Sequence, residues 1–209
     1  ALQDKGKLDE AIQAYKKVCS LKPNYADAYN NMGNALQDQG KLDQAITAYN
    51  KAIFLKPNYA DAYNNMGSCL KQQGKLDEAI EAFNKALSLK PDYPEAHQNL
   101  GYTLLNSGRL KEGLDEYEWR WKTAKGLSRK RHFLQPLWDG QKSLNGKKIL
   151  LWCEQGIGDT INWSSYLSLI TSQAKHCIVE CQEKLIPLLE RSFPNVEIKP
   201  ENRSLDKER

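Results

Sequence analysis

Apolar positions along residues 1–127 follow the spacing of amphipathic helices, and the whole pattern returns 34 residues later. The segment ADAYNNMGNALQDQGKLDQAITAYNKAIFLKPNY (26–59) aligns with ADAYNNMGSCLKQQGKLDEAIEAFNKALSLKPDY (60–93). One register superimposes Gly6, Gly40, Gly74 and Gly108, and likewise Leu8, Leu42, Leu76 and Leu110. Tyr15, Tyr49, Phe83 and Tyr117 share a further position, and Pro23, Pro57 and Pro91 another. Each block reads as two helices joined near QGKLD. The glycine permits the turn, the small Ala45 and Ala79 allow close helix approach, and Pro57 and Pro91 stop the second helix. One block cannot bury its own apolar face, so neighbours stack into a solenoid. Residue 1 falls inside a first helix. The expected units are therefore a partial one (1–25), two full ones (26–59 and 60–93) and a decayed fourth (94–127). In the fourth, Gly113 replaces the alanine and Lys125 the proline, which is expected to end the array.

Tyr29-x2-Met32-Gly33-x2-Leu36, then Ala45-x3-Tyr49, then Pro57, resembles the tetratricopeptide repeat. That resemblance implies a concave face lined by the first helices. Asn30, Asn31, Asn34, Asn64, Asn65, Gln98 and Asn99 lie on those helices, with Asn31, Asn65 and Asn99 at one repeat position. An amide offers both donor and acceptor, so such a row is suited to the backbone of an extended peptide. It resembles the asparagine ladder of the O-linked N-acetylglucosamine transferases. Solvated helix surface is the alternative. Relatives that clamp a terminal carboxylate use Lys and Arg on these helices. Here only Lys71 is present, so carboxylate-clamp chaperone tails are not the expected partner.

At the end of the array, Leu114, Tyr117 and Trp121 sit at helical spacing and are expected to form one buried stripe. Trp119 lies off that stripe and is expected to dock onto the following domain. KTAKGLSRKRH (122–132) carries five Lys or Arg and no acid, and reads as a solvated connector. From about residue 133 the period changes. KKILLWC (147–153) suits a strand buried on both faces. DTINWSSYLSLITSQA (159–174) is helix-like, with Ile161, Trp163, Tyr166, Leu167 and Ile170 on one side. HCIVECQ, EKLIPLLERSF and NVEIKP continue as strand, helix and strand. Alternation of this kind predicts βαβ units with a parallel sheet, so residues 128–209 are expected to form a partial Rossmann-like α/β domain. Its glycine loop, EQGIGDT, falls at the carboxyl end of the first strand, where open α/β sheets bind ligands.

Three motifs fail on this loop. The dinucleotide fingerprint lacks its third glycine, since Ile161 stands there, although Glu180 is placed as a ribose-binding acid would be. GQKSLNGKK (140–148) has the wrong glycine spacing for a phosphate loop and precedes the strand. No G-x-S-x-G elbow occurs. A fourth comparison does better. Tyr117-Glu118-Trp119-Arg120-Trp121, then Phe133, Pro136, WDG (138–140), Leu144, GK (146–147) and EQGIGDT (154–160) look like a bacterial family in which tetratricopeptide repeats are fused to a heptosyltransferase-like domain. The resemblance implies a GT-B fold, a nucleotide-sugar donor and no other cofactor. It matches Asp159 to the base that deprotonates the acceptor. Glu154, Gln155, Gly156, Gly158 and Thr160 become the ligand loop. Two departures stand out: Ser165 occupies a position where relatives carry Arg, and the chain stops at residue 209, before a complete donor site. The chain is expected to be a piece that is inactive alone. Asp159 has a second reading as the N-cap of its helix.

Composition adds three limits. The net charge of +4 is too small to argue for nucleic acid. No apolar run approaches the length of a membrane span. Cys19, Cys69, Cys153, Cys177 and Cys181 are an odd, scattered set, as expected of reduced thiols in the cytoplasm. His176, Cys177 and Cys181 invite a metal reading, but the alternating Cys177, Val179 and Cys181 fit a buried strand face better, and no metal is expected. The function read from sequence is repeat-mediated protein or peptide binding coupled to glycosyl transfer. The alternative is a non-enzymatic adaptor with a remnant α/β cap.

Overall fold

A computed structural model of the chain describes residues 2–127, 131, 133, 135–153 and 156–201, with side chains from residue 6 onward. It divides into two compact units, Ala1–Lys130 and Arg131–Arg209.

The first unit is a row of helical hairpins. Helices α2 (Ala26–Asp38) and α3 (Leu42–Leu55) form one hairpin, and α4 (Ala60–Gln72) and α5 (Leu76–Leu89) the next. Helices α6 (Pro94–Asn106) and α7 (Leu110–Tyr117) form the last. Each hairpin turns at a glycine in the left-handed region, with φ of 75° at Gly40, 78° at Gly74 and 82° at Gly108. That conformation is strained for any side chain with a β-carbon.

Within a hairpin, packing centres on a missing β-carbon. One built on Gly33 would lie 2.4 Å from the Tyr49 ring, and one on Gly67 2.8 Å from that of Phe83. Both rings are fully buried, as are Ala45, Ala79, Ala52 and Ala86 on the same second helices. The last hairpin solves the same problem differently. At Gly101 a β-carbon would meet the backbone of Tyr117 at 2.7 Å, and at Gly113 it would meet Leu105 at 2.8 Å. The glycine that departs from the repeat pattern thus makes room for Leu105 of α6.

Two expectations change in this unit. Helix α1 (Leu2–Leu21) runs straight through Gly6 instead of turning there. Helix α7 stops at Tyr117 and tightens into a 3-10 turn over Glu118–Lys122, followed by α8 (Ala124–Leu127). The change of pitch breaks the expected stripe, and Leu114 is 56% exposed. Trp119 has partners inside this unit. It stacks on His97 with centroids 3.8 Å apart and planes 11° from parallel, and the Lys122 ammonium lies 3.4 Å from its ring centre. His97 is held on both nitrogens, by Glu116 at 2.5 Å and by the Pro91 carbonyl at 2.9 Å.

The second unit holds a three-stranded parallel sheet in the order β1 (Lys148–Trp152), β2 (His176–Cys181), β3 (Glu197–Pro200). Helices α9 (Ile157–Ser164) and α10 (Leu167–Thr171) connect the first pair of strands, and α11 (Ile186–Ser192) the second. Both crossovers advance in one direction, so right-handed connections lay their helices on one face. Ile149, Leu151, Cys177, Val179, Cys181 and Ile198 pack there against Leu167, Leu185 and Leu189. The strand expected to be buried on both faces is therefore buried on one, and Leu150 is 37% exposed. The single helix expected over 159–174 is broken. The Ser164 and Ser165 hydroxyls donate back to the Ile161 and Asn162 carbonyls, competing with the helical ladder. Trp163, Leu167 and Ile170 reach the core, whereas Ile161 and Tyr166 stay exposed.

Gly67→Ala is expected to destabilise the solenoid by about 1–3 kcal/mol through overpacking against Phe83. Urea unfolding followed by circular dichroism measures it, and a variant as stable as the parent sinks the packing account.

Candidate functional site

The first helices of successive hairpins lie side by side, bound by a directional amide network. Asn65 Nδ2 donates to Asn30 Oδ1 at 3.2 Å and to Asn34 Oδ1 at 3.0 Å. One unit on, Asn99 Nδ2 donates to Asn64 Oδ1 at 3.1 Å. Within each helix, Asn30 and Asn64 donate to Asn31 Oδ1 (3.5 Å) and Asn65 Oδ1 (3.4 Å). The Tyr49 hydroxyl joins through Asn34 Oδ1 at 2.8 Å and Gln37 Oε1 at 3.0 Å.

The expected groove residues therefore divide. Asn31 is exposed, while Asn34, Asn65, Gln98 and Asn99 are half-buried. Asn30 and Asn64 are 6% and 7% exposed and lie beneath the surface, joining one unit to the next. Lys71 is half-buried, its ammonium 6.0 Å from the Tyr102 ring centre, and burial pushes its pKa down.

Other contacts repeat at the same spacing and escaped the reading of single residues. Gln39 donates to Asp9 at 2.9 Å, and Gln73 to Asp43 at 2.8 Å. Burial, and then the Asp27 and Asp61 carboxylates of the preceding unit, push the Tyr59 and Tyr93 phenols up. The signal was present in the 34-residue alignment, which carries these acids, amides and tyrosines at matched positions.

In the α/β unit, the ligand-loop residues Glu154 and Gln155 lie outside the described residues. Helix α9 starts at Ile157 with Gly156 before it, so Asp159 sits in the first turn and makes no side-chain cap. Its carboxylate is exposed, where the helix dipole favours negative charge. Gly156 and Gly158 both have ordinary backbone: neither is among the positive-φ glycines. A β-carbon at Gly158 would meet nothing within 4 Å, and one at Gly156 would meet only Asp159 Oδ2, at 3.9 Å. Neither backbone strain nor packing calls for glycine here. Thr160 is 1% exposed, its hydroxyl donating to the Gly156 carbonyl at 3.1 Å. Burial pushes the Cys153 thiol up, and the neighbouring Thr160 hydroxyl partly offsets that rise. Thr160 thus holds the loop from inside.

Glu180, the acid placed to bind a ribose, is engaged instead by Arg131 in a pair with both side chains largely buried. The Arg131 guanidinium also lies over Phe133 and Trp152, at 4.8 and 5.6 Å from the ring centres. This end of the connector is therefore not solvated. WDG is a turn: Asp139 Oδ1 accepts from the Gln141 and Lys142 amides at 3.0 and 3.1 Å, and Gly140 has φ of 77°. His176 and Cys177 face opposite sides of β2; His176 Nε2 is 2.7 Å from Glu197 Oε2 and Cys177 is in the core. All five cysteines are buried and free. Among the described residues, no cluster of three His, Cys, Asp or Glu side chains is arranged to hold a metal, and no helix is long and apolar enough to cross a membrane.

A helical-repeat scaffold presenting a row of first helices is the class this geometry defines. The family model described as TPR repeat matches residues 1–40, 33–74 and 67–108, together more than half of the chain. The chain belongs to the tetratricopeptide-repeat family. Among solved structures it is similar to a MamA protein, at 30% identity and a TM-score of 0.52 over 64% of this chain and 73% of that one. It is also similar to a MamA RS-1 double mutant (25% identity, TM-score 0.52, 58% and 68% covered). A MamA fragment from Desulfovibrio magneticus RS-1, running from residue 41 of that protein to its end, matches comparably (26% identity, TM-score 0.51, 56% and 66% covered). No curated protein matches the sequence.

Asn65→Ala removes three of the network's bonds and leaves Asn30 and Asn34 short of a donor, so a loss of about 1–3 kcal/mol is expected. Asn31→Ala touches only the weak 3.5 Å contact and should stay within about 0.5 kcal/mol of the parent. Equal unfolding midpoints for the two variants would contradict the network.

Proposed function

We propose that this chain is a protein-binding scaffold that lays an extended segment of its partner along the row formed by α2, α4 and α6. The observation carrying this is the register of those helices. The amide network places Asn31, Asn65 and Asn99 on neighbouring first helices, each with a surface left over from the internal bonding. Membership of the tetratricopeptide-repeat family supports the same reading. The buried, unpaired thiols suit a reducing compartment such as the cytoplasm.

A second reading concerns the α/β unit. The resemblance to heptosyltransferase-like domains implies that the longer protein transfers a sugar from a nucleotide donor to an acceptor held near Asp159. Two glycines with no backbone or packing requirement, beside an exposed carboxylate at a helix start, favour a ligand approaching this loop. On this reading Asp159 accepts the proton of the attacking hydroxyl. The adaptor alternative requires no such chemistry and rests on the repeats alone.

Selection from a random dodecapeptide library should yield ligands for the chain, and Asn31→Ala with Gln98→Ala should weaken a selected peptide about tenfold without shifting the unfolding midpoint. Unchanged affinity removes the inner row from the interface. For the second reading, Gly158→Ala should gain up to about 1 kcal/mol of stability yet lose donor turnover in the full-length protein. Asp159→Asn should abolish that turnover, and full activity in both variants would leave the α/β unit without a catalytic role.

A further inference from the structure

We infer that the middle of the row holds a pocket for one acidic side chain, in which the Lys71 ammonium and the Ser68 hydroxyl of α4 receive an Asp or Glu carboxylate of the bound segment. This rests on the peptide-binding reading above and names a specificity element within it.

Comparison of the units at matched positions isolates this pair. In the hairpin of α2 and α3, the Tyr49 hydroxyl crosses to the first helix and meets Asn34 Oδ1 at 2.8 Å and Gln37 Oε1 at 3.0 Å. In the last hairpin, the Tyr117 hydroxyl meets that of Tyr102 at 3.1 Å. A polar group on the first helix is thus answered by a phenol on the second. In the hairpin of α4 and α5 the matched ring is Phe83, which has no hydroxyl. The residues matching Asn34 and Gln37 are Ser68 and Lys71. Both are half-buried, and among the described residues neither side chain has a hydrogen bond or an ion pair. Ser68 follows Asn64 by four residues and Lys71 follows Ser68 by three, so the two share the Asn64 side of α4.

The electrostatics of Lys71 point to an anion. Burial pushes its pKa down, and no carboxylate acts against that fall. Its one neighbour of opposite polarity is the face of Tyr102 on α6, 6.0 Å from the ring centre, the outer limit of a cation–π contact. A half-buried ammonium with three N–H donors is therefore left for a ligand to neutralise. A neutral carbonyl would take a hydrogen and leave the charge. A carboxylate has two oxygens, one for the ammonium and one for the hydroxyl, and its bonds are charge-assisted. The Tyr102 ring, 42% exposed, offers the carbon stem of an acidic side chain a surface to pack on.

The surroundings limit the ligand to a single acid. Asp27, Asp61 and Glu95 stand in the first turns of α2, α4 and α6. Asp61 precedes Lys71 by ten residues, about 15 Å along the helix. Asp38 ends α2 and has no part in the Lys71 shift. Lys71 is the one amine on these three helices, which carry no Arg. A segment acidic throughout would meet carboxylates elsewhere along the row.

For the test, dodecapeptides selected on the full chain are synthesised with amidated C-termini, so that any carboxylate belongs to a side chain. They should share an Asp or Glu at one position. Changing that residue to Asn or Gln should cost about tenfold in affinity. Lys71→Met should bind the parent peptide about tenfold more weakly and the amide-substituted peptide unchanged. Its unfolding midpoint should not fall, because this amine has no bond to lose in the free protein. Phe83→Tyr should supply from within the hydroxyl that Tyr49 supplies to its own unit, and weaken the parent peptide about threefold. Selected peptides with no shared acid, or an amide-substituted peptide that binds as well as its parent, overturn the inference and leave peptide binding standing. The same holds for a Lys71→Met variant that binds the parent unchanged, or whose midpoint falls. Binding that needs a free C-terminus assigns the amine to a chain end and also overturns it. A library from which nothing is selected overturns both readings.

Discussion

The ring of Tyr49 occupies the space that a β-carbon on residue 33 would need, and Phe83 stands in the same relation to Gly67. This exchange of a side chain for a ring sets the distance between the two helices of a hairpin. From it follows where the next hairpin can dock, since Ala52 and Ala86 on the second helices are then fully buried. The close approach also brings the Tyr49 hydroxyl within reach of Asn34 and Gln37 on the first helix. A packing constraint inside the hairpin is thereby coupled to the polar network between hairpins. In the fourth unit the glycines approach backbone and Leu105 instead, and the helix that follows is shorter.

The polar network has a direction. The Asn65 and Asn99 donors point back along the array to carbonyls of the preceding unit. Buried polar groups must be satisfied, and here they satisfy one another across units. The consequence for function is that structural bonding decides which polarity remains on the surface. A row of side chains that looks uniform as a sequence becomes, once folded, an uneven one, in which Asn65 spends both N–H groups on the preceding unit while the exposed Asn31 donates to none of its neighbours in the row.

The α/β unit follows a different logic. Three strands added in one direction collect their helices on one face, so the core is one-sided. On the other face, the described covering comes from the buried Arg131–Glu180 pair and the aromatic rings of Phe133 and Trp152 near it. A buried ion pair of this kind stabilises little on its own account, but losing one partner is costly, so it specifies how this face is covered. Glu180 is committed to that role. The loop above β1 keeps Asp159 exposed and two glycines uncommitted.

Periodicity was enough to specify the hairpins, their glycine turns, the buried rings and the strand–helix alternation, because these depend on local spacing and on which side chains must leave water. The turn chemistry of WDG was also open to reading, since Asp and Gly act through their own backbone. What tertiary structure decided was the fate of each polar group. Asn31 and Asn30 are neighbours of the same type, yet one faces out and the other bridges units. Trp119 found His97 within its own unit, Thr160 turned inward, and Glu180 was taken by a residue 49 positions away. Hydrogen bonds and ion pairs are short-ranged and directional, so their partners are set only when helices and strands have come into register. The apolar pattern needs no such register, which is why this sequence by itself determined the scaffold and only the folded chain determined what its surface offers to a partner.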